Sequence, residues 1–224
     1  MKNRLLLAFL MIGSVHVSAQ QVTGRVFVRD ANGLDIKSRS ATIDNIDFLF
    51  HPTYLNASLF TKTGKLSGNV KYKLLLQENR LFYLEADGSD MEVVSPIYRI
   101  EFEMPNGAKA IFEKDFPAID ALDQQNFYQV LAQGKAKLLL DTKFEVEAKQ
   151  VFGSGTVAST EKKLTFYGCI GAKIVKLNNT EQILTLMQDH STEIAAYMTK
   201  EKIKIKKQAD LEKLFNYYNQ SFAN

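Results

Sequence analysis

The hydrophobic period of the chain changes once, near Asn179, and this change limits the folds that the chain can adopt. Between about residues 21 and 176, apolar and polar residues alternate in short runs separated by turn residues, which is typical of antiparallel β-strands. After Asn179, apolar residues recur at helical spacing. The sequence therefore predicts an α+β protein, mostly antiparallel β, in which an open or partly closed sheet or barrel packs with two or three C-terminal helices.

Alternating segments and turn signals place the predicted strands. The segments are residues 22–28, 68–76, 80–86, 97–104, 108–114, 127–132, 136–148, 164–166 and 172–177. Asn32-Gly33, Asp87-Gly88 and Pro105-Asn106-Gly107 are strong tight-turn signals. We also predict a corner at residues 167–171. In the second segment, the period of two places Val70, Tyr72 and Leu74 on one face and Lys71 and Lys73 on the other.

The C-terminal helices are predicted from apolar stripes and capping residues. One stripe comprises Ile183, Met187, Ile194 and Met198, and another comprises Leu211, Leu214, Phe215 and Tyr218. Asn179 or Thr180 can cap the first helix, and Ser191 can cap a second. Lys202–Lys206 alternates with period two, which indicates a connector or edge segment, and Asp210 is expected to open the last helix. The second stripe needs an apolar surface, so we expect this helix to cover one end or one face of the sheet.

The first nineteen residues have the pattern of a secretory signal peptide. Lys2 and Arg4 precede the apolar run Leu5–Ile12, which is too short to cross a bilayer, and Val17 and Ala19 occupy the −3 and −1 positions of a cleavage site. We predict cleavage after Ala19 and export to the periplasm or the extracellular space. The domain prediction is a signal peptide at 1–19, an antiparallel β body at 20–178, and a helical tail at 179–224 packed on the same domain.

The net charge and the cysteine content limit the kinds of partner, anchor and covalent link that we expect for this protein. Removal of residues 1–19 leaves 205 of the 224 residues and lowers the formal net charge from +3 to +1, because Lys2 and Arg4 are lost. A nearly neutral chain gives no reason to expect a nucleic-acid partner. No second long apolar stretch follows, so we expect no transmembrane anchor after cleavage. The single cysteine, Cys169, excludes an intrachain disulfide and a lipid-modified cysteine at the mature N-terminus.

Five segments resemble those of a group of uncharacterised secreted or periplasmic proteins from Bacteroidota-type bacteria. They are Ser18-Ala19-Gln20-Gln21, the strand patterns at 68–75 and 96–102, and the helical patterns at 194–200 and 210–219. The resemblance covers most of the mature chain and implies an exported protein with a β body followed by helices. Its motifs contain no catalytic chemistry, so it implies no functional residue.

Metal-binding patterns are weak throughout the sequence. The mature chain keeps only His51 and His190, since His16 lies in the predicted signal peptide, and neither has metalloprotease spacing. Asp30–Asp35 and Asp87–Asp90 group oxygen ligands but lack the ligand spacing and closing glutamate of an EF-hand. We interpret both segments as turns and predict no metal site.

Nucleophilic and phosphate-binding patterns are equally weak. The sequence has no G-x-S-x-G motif, and the segment around Ser154 (residues 152–156) lacks the Gly-Lys-[Ser/Thr] ending of a P-loop, which favours a flexible β-β loop. Cys169 is interpreted as a small buried hydrophobe. The pairs Glu101/Glu103 and Glu145/Glu147 share a strand face, as in a glycosidase, but outward positions of an amphipathic strand look the same. The lysines of 200–207 are interpreted as a solvated face, with a lipid or polysaccharide surface as the alternative.

These patterns predict no catalytic, cofactor-binding or metal-binding residue. The favoured function is that of an exported non-enzymatic protein in cell-envelope binding or assembly. Two alternatives remain: a periplasmic carrier of an apolar ligand such as a lipid or lipoprotein, and a hydrolase whose site the sequence hides. The carrier would hold an acyl chain beneath the helices, so it requires a wide, empty apolar concavity, and a filled interface between sheet and helices would exclude it. The hydrolase requires a concave cluster of titratable groups. A pocket of more than about 300 Å³ is the feature to look for in the structure.

Overall fold

The computed structural model describes residues 29, 35–44, 46–66, 70–151 and 155–222, apart from the side chains of 147–151 and 155–159. Several predictions fall outside the described residues. These are the signal peptide, the strand at 22–28, the turn at 32–33, and the loop around Ser154.

Twelve strands are present in the described part of the chain. They are β1 (Ser38–Ser40), β2 (Leu55–Thr61), β3 (Gly64–Lys65), β4 (Lys71–Leu75), β5 (Arg80–Leu84), β6 (Asp90–Val93), β7 (Arg99–Glu103), β8 (Lys109–Glu113), β9 (Tyr128–Ala132), β10 (Ala136–Val151), β11 (Gly155–Ile170) and β12 (Lys173–Lys176). The strand order is β1-β6-β5-β4-β2-β7-β8-β9-β10-β11-β12, every pairing is antiparallel, and β3 pairs with β2. The sheet is open, which confirms the predicted fold class. Of the predicted alternatives, an open or a partly closed sheet or barrel, the structure has the open sheet.

The largest difference between the predicted and the observed strands concerns β11. A strand was expected only at 164–166 with a corner at 167–171, whereas β11 runs from 155 to 170 and the turn comes at Gly171, whose φ is 56°. The reason is its partner: β10 pairs with β11 at all sixteen positions. This ladder satisfies the backbone of a polar Thr-Glu-Lys-Lys stretch that shows no apolar alternation of its own.

Strand β2 joins two halves of the sheet. Its residues Leu55 and Asn56 pair with β4, whereas Ala57–Phe60 pair with β7. Side chains from both halves meet in one apolar cluster, here called the first core. Its fully buried members include Leu59, Leu74, Ile100 and Phe102. The edge of this core forms the floor of the largest cavity described below.

Three α-helices follow the strands: α1 (Thr180–Leu186), α2 (Ser191–Lys200) and α3 (Gln208–Ser221). Asn179 caps α1, and its capping box with Gln182 confirms the predicted helix start. Two other starts are corrected. The residue that precedes α2 is His190, not Ser191. The last helix, α3, begins at Gln208 rather than Asp210. Asp210 lies in its first turn and accepts a 2.9 Å hydrogen bond from the Lys204 N–H.

The helices pack tightly on the second half of the sheet. Leu211, Leu214, Phe215 and Tyr218 of α3 are fully buried in a cluster that includes strand residues Ala136 and Leu138. A Cβ atom at Gly168 would lie 2.3 Å from Leu186 Cδ2 and 2.9 Å from Phe215 Cζ, so only glycine permits this approach. Side chains therefore fill the space directly between α3 and the sheet. A cavity of about 480 Å³ lies to one side, between β11, β12 and the segment that connects α2 to α3.

Candidate ligand-binding site

The two described histidines and the cysteine lie in separate structural settings. The Nδ1 atom of His51 is 3.0 Å from Thr53 Oγ1 and accepts a hydrogen bond from the Thr53 N–H at 3.2 Å. His190 stacks on Phe222 with ring centroids 3.8 Å apart. Cys169 is buried, and burial raises the pKa of its thiol, which keeps the thiol protonated at neutral pH. The structure does not bring these three residues together.

Two of the four paired carboxylates of the sequence, Glu101 and Glu145, form ion pairs on the sheet. Glu101 pairs with Arg99 at 2.7 Å and with Lys109 at 3.4 Å, and Glu145 pairs with Lys163 at 2.8 Å. Glu103 is exposed. The side chain of Glu147 lies outside the described residues. These contacts fit amphipathic strands.

The Asp87–Asp90 segment forms the predicted turn. The Asp87 carboxylate accepts hydrogen bonds from the Ser89 hydroxyl at 2.6 Å and the Ser89 N–H at 2.9 Å, and these bonds lower the pKa of Asp87. The described residues contain no group of three or more His, Cys, Asp or Glu side chains that could hold a metal ion.

A cavity of about 700 Å³ opens at the edge of the first core and is here called the apolar cavity. Its volume falls within the range of small-molecule sites. The first core supplies its floor through Leu66, Leu81, Val93, Ile97 and Phe127, each less than 10% exposed. A ligand seated here would cover an apolar surface that the protein has already assembled.

Ion pairs and hydrogen bonds hold the rim of the apolar cavity. On one side, Glu92 is buried and binds both Arg39 at 2.9 Å and Arg80 at 2.8 Å. Hydrogen bonds from Arg80, and then from Arg39, lower the pKa of Glu92 against the effect of burial. On the other side, Lys62 pairs with Asp115 at 2.9 Å. The rim thus carries a buried carboxylate bound by two arginines on one side of the apolar floor and an exposed ion pair on the other.

Lys114 differs from the other cations at this rim, because its charge has no ion-pair partner among the described residues. Its Nζ atom lies 4.2 Å from the ring centroid of Phe127, and no carboxylate in the described part of the chain lies within 4.0 Å. Burial lowers the pKa of the Lys114 ammonium, although Asp115 and Asp123 act in the opposite direction. An anion placed beside Lys114 would offset this desolvation cost.

Phe127 and Lys114 are held in place by backbone contacts. The Phe127 N–H donates to Asn79 Oδ1 at 2.7 Å, and the Lys114 N–H donates to the Tyr98 carbonyl at 2.8 Å. Asn79 itself has a φ of 55°, a left-handed conformation that asparagine tolerates. These contacts hold the backbones of Lys114 and Phe127, from which the two side chains come together at 4.2 Å.

A second cavity, of about 580 Å³, adjoins the first and is here called the lysine cavity. Both cavities are lined by Lys62, Tyr98, Lys114 and Asp115. The lysine cavity adds Lys135 and Lys137, with Phe116 and Cys169 among its other walls. Apolar and cationic surfaces thus meet at Lys114.

Of the residues that line the apolar cavity, the sequence had drawn attention only to Asp35, as part of a group of oxygen ligands interpreted as a turn. One signal was present: in the predicted strand 108–114, the period of two places Lys114 on the same face as Ala110 and Phe112, both of which are buried. Lysine is rarely buried unless its charge is paired, so a lysine on an apolar strand face is unusual. Phe127 gave no such signal, because its contact with Lys114 joins two different strands and is not visible in the sequence.

Comparison with known proteins gives no match: no family model fits the chain, and no curated protein or solved structure is similar to it. The resemblance to secreted Bacteroidota-type proteins stays a prediction. Within the described residues, no helix combines the length and the apolar character needed to cross a membrane.

Proposed function

We infer that the protein is an exported, non-enzymatic binding protein that holds a small amphiphilic anion in the apolar cavity. The observation that carries this proposal is the position of Lys114, which has no carboxylate partner in the described part of the chain, at the edge of a 700 Å³ cavity with an apolar floor. The apolar part of the ligand lies on Leu66, Ile97 and Phe127, and its anionic group pairs with Lys114. This function corresponds to the carrier alternative, with the ligand at the first core instead of beneath the helices.

Envelope assembly is a second candidate, which the long β10–β11 hairpin favours. β9 pairs with β10 only at residues 138–140, and β12 pairs with β11 only at 167–170. Beyond these positions the two strands pair mainly with each other, and Val146 and Leu164 are 61% and 50% exposed. Strand edges and exposed apolar side chains of this kind can add a strand from a partner.

Export is supported by the sequence of residues 1–19 and is open to a direct test. Recovery of the protein from the periplasm or the medium should give an intact mass that lacks Met1–Ala19. A product that still carries these residues, or one found only in the cytoplasm, would rule out export.

Binding of dodecanoate tests the proposed ligand class. Isothermal titration calorimetry should detect dodecanoate binding to the protein, and Lys114→Met should weaken it about tenfold, because one charge-assisted contact is lost. Dodecanol should bind both forms with similar affinity, since it carries no charge to pair with Lys114. Lys114→Met should remain as stable as the original protein, because it removes a half-buried charge and keeps the apolar stem.

Lys109→Met is the matched control, since Lys109 lies on the same strand with its side chain 62% exposed and lines neither cavity. Its dodecanoate affinity should match that of the original protein. Absence of binding of both dodecanoate and dodecanol would contradict the proposal, as would an equal loss in the two lysine variants.

A further inference from the structure

The cavity of about 480 Å³ beside the helices, here called the edge cavity, lies against a stretch of β11 that no described strand covers on that side. β12 pairs with β11 at residues 167–170, and one further bond joins the Leu177 N–H to the Phe166 carbonyl at 2.8 Å. The chain then leaves the sheet to begin α1. Before Phe166, this edge of β11 has no strand partner in the described part of the chain.

The free backbone groups of this edge follow from the alternation of the ladder. Successive residues of an antiparallel strand point their N–H and C=O groups to opposite sides. Phe166 points toward β12, since its carbonyl accepts the bond from Leu177. Leu164, two residues earlier, points the same way, and no described backbone group pairs with it there. The opposite edge of the hairpin differs, because Gln77 Oε1 accepts the outward Phe144 N–H at 2.8 Å.

Apolar side chains form the wall of the edge cavity next to these free groups. Leu164 is 50% exposed, Phe166 and Ile205 are partly buried, and Leu177 is buried. All four residues line the cavity. A peptide strand that lies along this edge of β11 would therefore cover apolar surface with every second side chain and pair its backbone at the same time.

The charged residues on the wall of the edge cavity are all lysines. Lys163, Lys176 and Lys206 line the cavity, and no Asp or Glu among the described residues does so. Lys163 pairs with Glu145 at 2.8 Å, and Lys176 pairs with Asp120 at 3.1 Å. Lys206 has no carboxylate within 4.0 Å in the described part of the chain. Lysines at a strand edge disfavour indiscriminate pairing, and they make carboxylates the complementary groups of a partner strand.

We propose that the edge of β11 beside Leu164 binds an extended acidic segment of a partner protein, one that also carries apolar side chains. The backbone of this segment pairs with the Leu164 N–H and C=O groups and extends the sheet beyond the end of β12. Its apolar side chains lie on Leu164 and Ile205, and its carboxylates meet the lysines of the wall, of which Lys206 is free. The site is separate from the apolar cavity, and it gives the second candidate function a place and a partner chemistry.

Fluorescence polarisation with a short, labelled, end-blocked peptide of alternating valine and glutamate tests the partner chemistry. The protein should bind this peptide, and the same peptide with glutamine for glutamate should bind about tenfold more weakly, because several exposed charge contacts are lost. The glutamate peptide N-methylated at every residue should not bind, because it cannot donate hydrogen bonds to the edge of β11.

Leu164→Pro tests the position of the bound strand. Proline removes the outward N–H of residue 164, which the ladder with β10 does not use, so the hairpin should stay folded. The affinity for the glutamate peptide should fall about tenfold or more, because a backbone hydrogen bond and an apolar contact are both lost. Leu164→Ala keeps the N–H and should lose less affinity than Leu164→Pro.

Lys206→Gln tests the free charge. It should weaken binding of the glutamate peptide about threefold and leave the affinity for the glutamine peptide unchanged, as expected for one exposed charge contact. Lys200→Gln is the matched control, since Lys200 is exposed and does not line the edge cavity. Equal affinities of these two variants for the glutamate peptide would overturn the contact with Lys206.

The remaining outcomes decide the other parts of the proposal. Absence of binding by the glutamate peptide, or equal binding of its N-methylated form, overturns strand addition. Equal affinities for the glutamate and glutamine peptides overturn the acidic partner, and unchanged binding in Leu164→Pro overturns this site. If Leu164→Pro does not fold, the N-methylated peptide decides the matter on the original protein. Leu164 does not line the apolar cavity, so each of these results leaves the amphiphile-binding function intact.

Discussion

Leu214→Asp is expected to reduce the free energy of unfolding by about 3 kcal/mol or more, because it places a carboxylate in a dry apolar cluster. Leu214 is fully buried, as are its neighbours Phe215 and Tyr218 on α3. The cluster offers the new carboxylate no cation in place of water, since it consists of apolar and aromatic side chains. Urea denaturation followed by circular dichroism measures the change.

Lys213→Ala provides the control on the adjacent helix position. The Lys213 side chain is 52% exposed and pairs with Glu201 at 2.6 Å. An exposed ion pair of this kind contributes less than about 1 kcal/mol. Equal small effects of the two substitutions would mean that α3 does not stabilise the sheet, and would make this helix a candidate for binding a partner instead.

The sequence predicted those parts of the fold in which local signals and tertiary contacts agree. Asp87-Gly88 and Asn106-Gly107 are turns with φ values of 87° and 80° at their glycines, as expected of Gly-containing turns. The stripe of the first helices is confirmed, since Ile183, Met187 and Ile194 are fully buried. In these places the period of the apolar residues alone identifies the buried face.

Strands with a weak pattern of their own were missed. β1 has the sequence Ser-Arg-Ser, and β3 has only two residues. β6 carries Asp90 and Glu92 among its four residues, and Glu92 is buried only because Arg39 and Arg80 bind it. Such strands depend on partners that are distant in sequence, so their pairing is not encoded in a local period.

The candidate site was not predictable for the same reason. Lys62 and Lys137 come from the β2–β3 turn and the start of β10, and each looks like an ordinary surface lysine in the sequence. Lys114, at the end of β8, differs only in its phase with a buried strand face. Only the strand order brings the three lysines to one cavity.

Glu113→Gln is expected to lower the free energy of unfolding by about 3 kcal/mol, since it removes the carboxylate shared by two cations. Glutamine preserves the size of the side chain and one hydrogen-bond acceptor. The decrease in the free energy of unfolding therefore measures what the negative charge contributes. Glu103→Gln on β7 is the matched control: Glu103 is exposed, and the expected change is within about 0.5 kcal/mol. Urea denaturation of the three proteins gives the comparison.

The result that contradicts this prediction is an equal effect of the two substitutions. If Glu113→Gln costs no more than Glu103→Gln, the carboxylate that Arg99 and Lys137 share does not stabilise the sheet.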